Sequence, residues 1–244
     1  MISKNQMKLI VSLHQKKFRQ LHQMFIVEGE KSIIEFLNSH FKAVHLFVTE
    51  PLFETQSIIK PTMISDADLK KISTLATPNN CLAVFQIPNN QSINTTGLLV
   101  ALDDIRDPGN LGTIIRLCDW FGIETLICST NTVEVYNPKV VQATMGSLTR
   151  VNVQYTDLEA FIQKYKAPVF GTFMEGASIY QMDLPHSGLI IMGNEANGIS
   201  TSIAKWVTQK MSIPRFGQLQ KTESLNVATA SAIVLSEFKR KTIH

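Results

Sequence analysis

Apolar and polar positions along the chain fall into short blocks, and the blocks change period. Residues 24–27, 43–48 and 81–87 are brief apolar runs of strand length. Between the first two, residues 30–38 place Ile33, Ile34 and Leu37 on one side of a helix. Residues 66–76 read as a helix behind Ser65, which with Asp68 resembles a capping box. Residues 3–22 read as helical and basic. A polar stretch at 89–97, rich in Asn, Ser and Thr, then interrupts the pattern and reads as a linker or long surface loop. Beyond it, strands at 98–102, 125–128, 151–155, 168–173, 188–192 and 210–213 alternate with helices at 111–121, 138–146, 157–165, 200–207 and 225–239. Asn137 before Pro138 supplies an N-cap with proline at the first helical position, and Asp157 caps the next helix. Leu189-Ile190-Ile191-Met192 is apolar at every position, which suits a strand covered on both faces. This alternation predicts an α/β fold around a mostly parallel sheet. The expected division is 1–88, a linker at 89–97, and 98–244.

Composition narrows the class. With 244 residues, 44% of them hydrophobic and 18% charged, the chain can bury a sizeable core and is not of the disordered type. A net charge of +3 does not by itself mark a nucleic-acid binder. The charge is uneven, however. Residues 1–45 carry Lys4, Lys8, Lys16, Lys17, Arg19, Lys31 and Lys42 against Glu28, Glu30 and Glu35. Such a segment can meet phosphate, or it can simply be a solvated helix face. Cys81, Cys118 and Cys128 lie far apart in apolar surroundings without metal-ligand spacing, and read as buried free thiols in a reducing compartment. No apolar run reaches membrane-spanning length, and the first residues lack a signal-peptide core, so a cytoplasmic protein is expected. No Gly-x-Gly-x-x-Gly follows a strand, no phosphate-loop motif occurs, and the six histidines form no metal pattern.

Three strand-end segments carry the candidate chemistry. The first is Asp107-Pro108-Gly109-Asn110-Leu111-Gly112, followed by Arg116. Its glycines permit close backbone approach, and a helix start there favours an anion. Arg116 lies in the run Ile114-Ile115-Arg116-Leu117-Cys118, where a charge needs a partner or a site. The second is Gly193-Asn194-Glu195-Ala196-Asn197-Gly198, directly after the apolar strand. Ligands of open α/β sheets bind beyond the carboxyl ends of strands. The third comprises Ser212-Ile213-Pro214 and, after a loop, Glu223-Ser224-Leu225-Asn226 at the last helix. Taken singly, each has a structural reading as well: a loop asparagine with a solvent-facing arginine, an ordinary strand-to-helix turn, and helix caps.

In this order, the three segments resemble the three motifs of the SpoU/TrmH family of RNA ribose 2′-O-methyltransferases, of the SPOUT superfamily. The resemblance spans residues 98–239. Phe25-Ile26-Val27-Glu28-Gly29-Glu30-Lys31-Ser32 is similar to the start of the small L30e-like substrate-binding domain that often precedes SpoU catalytic domains. The resemblance implies a trefoil-knotted parallel-sheet domain and S-adenosylmethionine as methyl donor. It implies a homodimer, with an arginine matching Arg116 reaching an active site shared across subunits. Gly193, Ile213 and Leu225 match positions that hold the donor. Asn110, Arg116, Glu195, Ser224 and Asn226 match the polar catalytic set, Arg116 as base or as stabiliser of phosphate and developing alkoxide. The implied substrate is structured RNA, ribosomal RNA ahead of transfer RNA. Two departures from the family pattern stand out: the spacer 217–223 is longer than is common, and Arg215-Phe216 replaces a methionine-type residue. Both bear on the pocket rim or RNA entry. Other readings are a catalytically inactive RNA-binding homologue and an unrelated nucleotide-binding α/β enzyme.

Overall fold

A computed structural model describes residues 2–53, 59–89, 92–219 and 224–240. In chain order the elements are α1 (Lys4–Ser12), α2 (Lys16–His22), β1 (Met24–Glu28), α3 (Glu30–Leu37), β2 (Ala43–Val48), β3 (Thr62–Met63), α4 (Asp66–Ile72) and β4 (Cys81–Gln86). Then come β5 (Leu98–Asp103), α5 (Pro108–Trp120), β6 (Thr125–Ser129), α6 (Pro138–Thr144), β7 (Asn152–Thr156), α7 (Leu158–Lys164) and β8 (Val169–Ser178). The chain continues with β9 (Gly188–Gly193), α8 (Thr201–Ala204), β10 (Gln209–Ser212) and α9 (Val227–Arg240). Short 3-10 turns lie at Ser147–Thr149 and Ile179–Gln181. Two compact units result: Met1–Asn90 with Glu134–Thr149, and Gln91–Val133 with Arg150–His244.

In the first unit the sheet runs β1-β4-β2-β3. β4 is antiparallel to β1 and β2, whereas the short β3 joins β2 in parallel. Strand alternation sends neighbouring residues to opposite faces. Ile26, Leu82 and Val84 meet Ile10, Leu13 and Ile72 from the helices on one side. Phe25 and Phe85 meet Phe36 on the other, and Tyr136 lies against Phe25 with ring centroids 4.7 Å apart. α6, which follows Tyr136, packs on β1.

The segment expected to be helical and basic over 3–22 forms two helices. Gln15 is extended at φ −103°, ψ 136° and starts α2. The break is held by Arg19, which donates from Nη1 to the carbonyls of Leu13 and His14 at 2.8 and 2.9 Å. Arg19 is buried and ion-paired with Glu134, so it is no part of a basic surface. The helix expected over 66–76 stops at Ile72. Buried Glu28 captures the next turn, accepting from the hydroxyls of Ser73 and Thr74 and from the Thr74 N–H at 2.8 Å.

The second unit is a six-stranded sheet, β10-β8-β9-β5-β6-β7, with every neighbouring pair parallel. All six carboxyl ends therefore lie along one edge. On one face Leu99, Ala101, Ile127, Leu189 and Ile191 pack with Leu158 and Ile162 of α7 and Ile203 of α8. The other face carries α5 and α9, which pack on each other, with Phe238 edge-on to Phe170 at 5.1 Å. β9, covered on both sides, is buried from end to end, as its unbroken apolar run predicts. The strand expected at 168–173 continues to Ser178, and the helix expected at 200–207 covers only Thr201–Ala204. Pairing of β10 with β8 jumps from Lys210–Gly171 to Met211–Ala177, so residues 172–176 bulge past β10. All three cysteines are buried and free, and burial pushes the Cys81 and Cys118 thiols up to about 12.

Candidate active site

The three strand-end segments meet at the carboxyl edge of the parallel sheet. The first follows β5. Asp107 caps α5 by accepting from the Asn110 N–H at 2.8 Å, with Pro108 in the first turn. This cap sets the Asn110 side chain at the helix mouth.

The second segment is a tight loop after β9. Asn194 and Gly198 exchange backbone hydrogen bonds of 3.0 and 2.9 Å, closing it. The Asn194 side chain fills the turn. Its Oδ1 accepts from the N–H groups of Ala196 and Asn197, and its Nδ2 donates to the Asp104 carbonyl at 2.7 Å. Gly198 sits at φ +68°. A Cβ on Gly193 would lie 2.3 Å from backbone atoms of Gly198 and Ile199, so no side chain fits there. Buried Asp103 accepts from the Ser200 N–H at 2.8 Å and ties the far side of the loop to β5. Glu195 is thereby presented toward α5.

The third segment starts α9. Asn226 accepts at Oδ1 from the N–H groups of Ala228 and Thr229 at 3.0 and 3.2 Å, which makes it the N-cap. Its Nδ2 donates to Asn110 Oδ1 at 2.9 Å, and Asn110 Nδ2 donates to Glu195 Oε1 at 2.7 Å. One residue from each segment thus joins a single polar chain: Glu195, Asn110, Asn226, helix N-terminus.

Arg116 and Ser224 stand outside this chain. Arg116 is exposed and makes no hydrogen bond or ion pair among the described residues. Its apolar neighbours suggest burial, but helical periodicity turns Ile114, Ile115 and Cys118 inward and Arg116 outward. Ser224 is exposed and makes no hydrogen bond among the described residues. Glu223 and spacer residues 220–222 lie outside the described residues. Sequence reasoning passes over Asp103, Asp104 and Asn194, which position the second loop. Their signal is two acids placed directly after a buried strand, and an asparagine directly after a strand-end glycine.

The adenosyl part of a methyl donor asks for apolar walls beside accessible backbone at strand ends. Gly193 ends β9, Ile213 follows β10, and Leu225 stands 47% exposed before the α9 cap. These residues fit such a group. At Gly193 only backbone is open to a ligand, since its Cβ direction is filled by its own loop.

Comparison with known proteins places this arrangement. The SpoU rRNA Methylase family model matches residues 97–236, and an MRM3-like substrate binding domain model matches residues 4–83. The chain is 29% identical over 231 residues to the 23S rRNA (guanosine(2553)-2′-O)-methyltransferase RlmP of Bacillus subtilis, covering 91% of each protein. It is 31% identical over 160 residues to the 23S rRNA (guanosine-2′-O-)-methyltransferase RlmB of Neisseria meningitidis, covering 63% of this chain and 62% of the relative. Among solved structures, a TrmH-family protein from Porphyromonas gingivalis superposes with a TM-score of 0.89 at 37% identity, over 99% of both chains. An AdoMet-bound rRNA methyltransferase from Sinorhizobium meliloti superposes with a TM-score of 0.88 at 27% identity, over 100% of this chain and 98% of that one. With both the ordered motifs and more than half the chain accounted for, this protein belongs to the SpoU rRNA Methylase family.

Proposed function

We propose that this protein methylates a ribose 2′-hydroxyl of ribosomal RNA, as a homodimer in the cytoplasm. The enzyme class, RNA ribose 2′-O-methyltransferase with S-adenosylmethionine as donor, follows from family membership. Ribosomal rather than transfer RNA is favoured by the names of the relatives and by the substrate-binding-domain match at residues 4–83. On this reading residues 1–88 hold RNA in an L30e-like domain, and 98–244 form the trefoil-knotted catalytic domain. Buried, unpaired thiols suit a reducing cytoplasm. Among the described residues no helix is long and apolar enough to cross a membrane.

The observation that carries the reading is the Glu195–Asn110–Asn226 chain, which gathers three loops at one point. The donor supplies a methyl group on a sulfonium. The protein must hold the ribose oxygen in line with it and take charge of the hydroxyl proton. Asn226 and Ser224, at the helix N-terminus, orient the ribose. Asn110 and Glu195 keep the Asn226 amide turned the right way. Gly193, Ile213 and Leu225 hold the donor. A guanidinium stays protonated, so Arg116 serves as phosphate ligand and stabiliser of the developing alkoxide rather than as base.

Two features of α5 favour the dimer. Arg116 points to solvent rather than to the Glu195–Asn110–Asn226 chain of its own subunit, and Trp120, one turn on, is 84% exposed. A second copy that covers this face would bring Arg116 to the neighbouring site and bury the indole. The direct test compares 2′-O-methylation maps of ribosomal and transfer RNA from cells with and without the gene. Loss of one ribosomal site is expected. A site lost from transfer RNA alone would replace the substrate assignment, and unchanged maps would remove the activity.

A further inference from the structure

Phe216 is 83% exposed on the loop that leaves β10, and its ring stands 6.4 Å from that of Tyr180, tilted by 35°. Tyr180 is itself 45% exposed and lies in the turn Ile179–Gln181, directly after β8. That turn is anchored: Ile179 is fully buried and the turn packs on α9. The strand from which the Phe216 loop leaves is tied to β8, because Ser212 Oγ donates to the Gly176 carbonyl at 3.1 Å. Two aromatic rings thus stand side by side in water beyond the ends of neighbouring strands. Burying a phenylalanine is favourable, and this fold leaves that gain unused at Phe216. Isolated exposed apolar residues need no explanation, but paired rings beside an active site do.

Their place in the topology says what they face. β8, β10, β9 and β5 are parallel, so the residues after their carboxyl ends share one edge. Tyr180 follows β8 and Phe216 follows β10, on the edge where Glu195 follows β9 and Asn110 follows β5. The helix against which the Tyr180 turn packs is the one capped by Asn226.

We propose that Tyr180 and Phe216 form a stacking platform for an unpaired base of the substrate RNA, at or next to the nucleotide that is methylated. The proposal rests on the RNA methyltransferase reading above. An unpaired nucleotide held open for in-line attack on the donor loses stacking with its neighbours. A flat aromatic surface at the rim returns part of that stacking and is tolerant of base identity. Sequence preference then comes from the other contacts, and the platform sets how firmly the strand is held open.

The test uses the full-length enzyme, tritium-labelled S-adenosylmethionine, and total ribosomal RNA from cells lacking the gene. Phe216→Ala is expected to raise KM for RNA about tenfold or more, given stacking worth about 1–3 kcal/mol per base. Tyr180→Ala should act in the same direction. Phe216→Trp should keep KM near the parent value, whereas Phe216→Leu should resemble the alanine variant, because leucine is apolar but cannot stack. Calorimetric donor binding should stay within about twofold in all of them. A parental KM in Phe216→Ala, or full rescue by leucine, overturns the platform while leaving the methyltransferase reading intact. Loss of donor affinity equal to the loss of RNA affinity overturns it in favour of a donor-binding loop. A dimer that dissociates on Phe216→Ala, seen by sedimentation, overturns it in favour of a contact between subunits. An unmodified enzyme that transfers no methyl group to RNA overturns both readings.

Discussion

The direction of every amide in the Glu195–Asn110–Asn226 chain is dictated from its two ends. A carboxylate only accepts, so Asn110 must turn its NH2 to Glu195 and its carbonyl to Asn226. Helix N–H groups only donate, so Asn226 must turn its carbonyl to Ala228 and Thr229 and its NH2 to Asn110. Asn226→Asp separates the two jobs. Aspartate caps as well as asparagine does, so stability should stay within about 0.5 kcal/mol in urea unfolding. It cannot donate to Asn110, so turnover should fall by at least about a hundredfold. Asn226→Ala should lose turnover and, in addition, about 1 kcal/mol of stability with the cap. Turnover of Asn226→Asp close to the parent would mean the chain is only structural. Arg116→Lys keeps the charge but not the planar fork, and should be nearly inactive with donor affinity unchanged. Refolding it together with the Asn226→Asp protein should recover about a quarter of parental turnover, since half the dimers are mixed and each has one intact shared site. No recovery would confine Arg116 to its own subunit. Asn110, Glu195 and Asn226 are legible as candidates because each is a polar residue in the loop after a strand, at a helix cap or in a first helical turn. The part played by Asn194 is not, because it depends on a backbone carbonyl, Asp104, that chain order places far away.

At the scale of elements, what was legible was whatever local pattern controls. The buried strands and the capped helix α7 fall where apolar runs and Asp157 place them, whereas α5 starts at Pro108, ahead of the expected 111, because Asp107 caps it there. What was not legible has a tertiary cause. No glycine or proline marks the break between α1 and α2. The carbonyls of Leu13 and His14 leave the helix because Arg19 reaches back to them, itself held by Glu134, which is remote in sequence. The early end of α4 likewise follows from Glu28. One helix end carries avoidable strain. α2 ends on Gln23 at φ 52°, ψ 44°, a left-handed conformation in which a Cβ is costly and glycine is favoured. Gln23 is exposed, and among the described residues its side chain bonds only the Gln20 carbonyl. Gln23→Gly should therefore raise stability by about 0.5–1 kcal/mol, net of the added freedom of the unfolded chain. A lower midpoint in urea unfolding would show that this bond outweighs the backbone strain.

At the scale of the whole molecule, the polar stretch at 89–97 predicts a division into 1–88 and 98–244, and the compact units of the structure differ from it in a feature that chain order hides. Residues Glu134–Thr149 group with the first unit although they lie well beyond the linker. Their attachment is physical: Tyr136 rests on Phe25 with ring centroids 4.7 Å apart, α6 packs on β1, and Glu134 pairs with Arg19. A fragment of residues 98–244 should keep its parallel sheet, because the strands that pair in it all lie within the fragment. It would lose the partners of Tyr136, of Glu134 and of α6, whose Val140 and Val141 are buried in the intact protein. Each such apolar side chain is worth about 1.5–3 kcal/mol when fully buried, so the exposed segment is a hazard for association rather than a neutral loop. The fragment should bind a hydrophobic dye, self-associate in sedimentation, and melt several degrees below the intact protein. Replacing Val140 and Val141 with glutamine in the fragment should suppress dye binding and association, while the same pair of changes should destabilise the intact chain. Opposite signs from identical substitutions identify cover by β1 as the cause. A monodisperse fragment that binds no dye would show that residues 134–149 can find cover without the first unit.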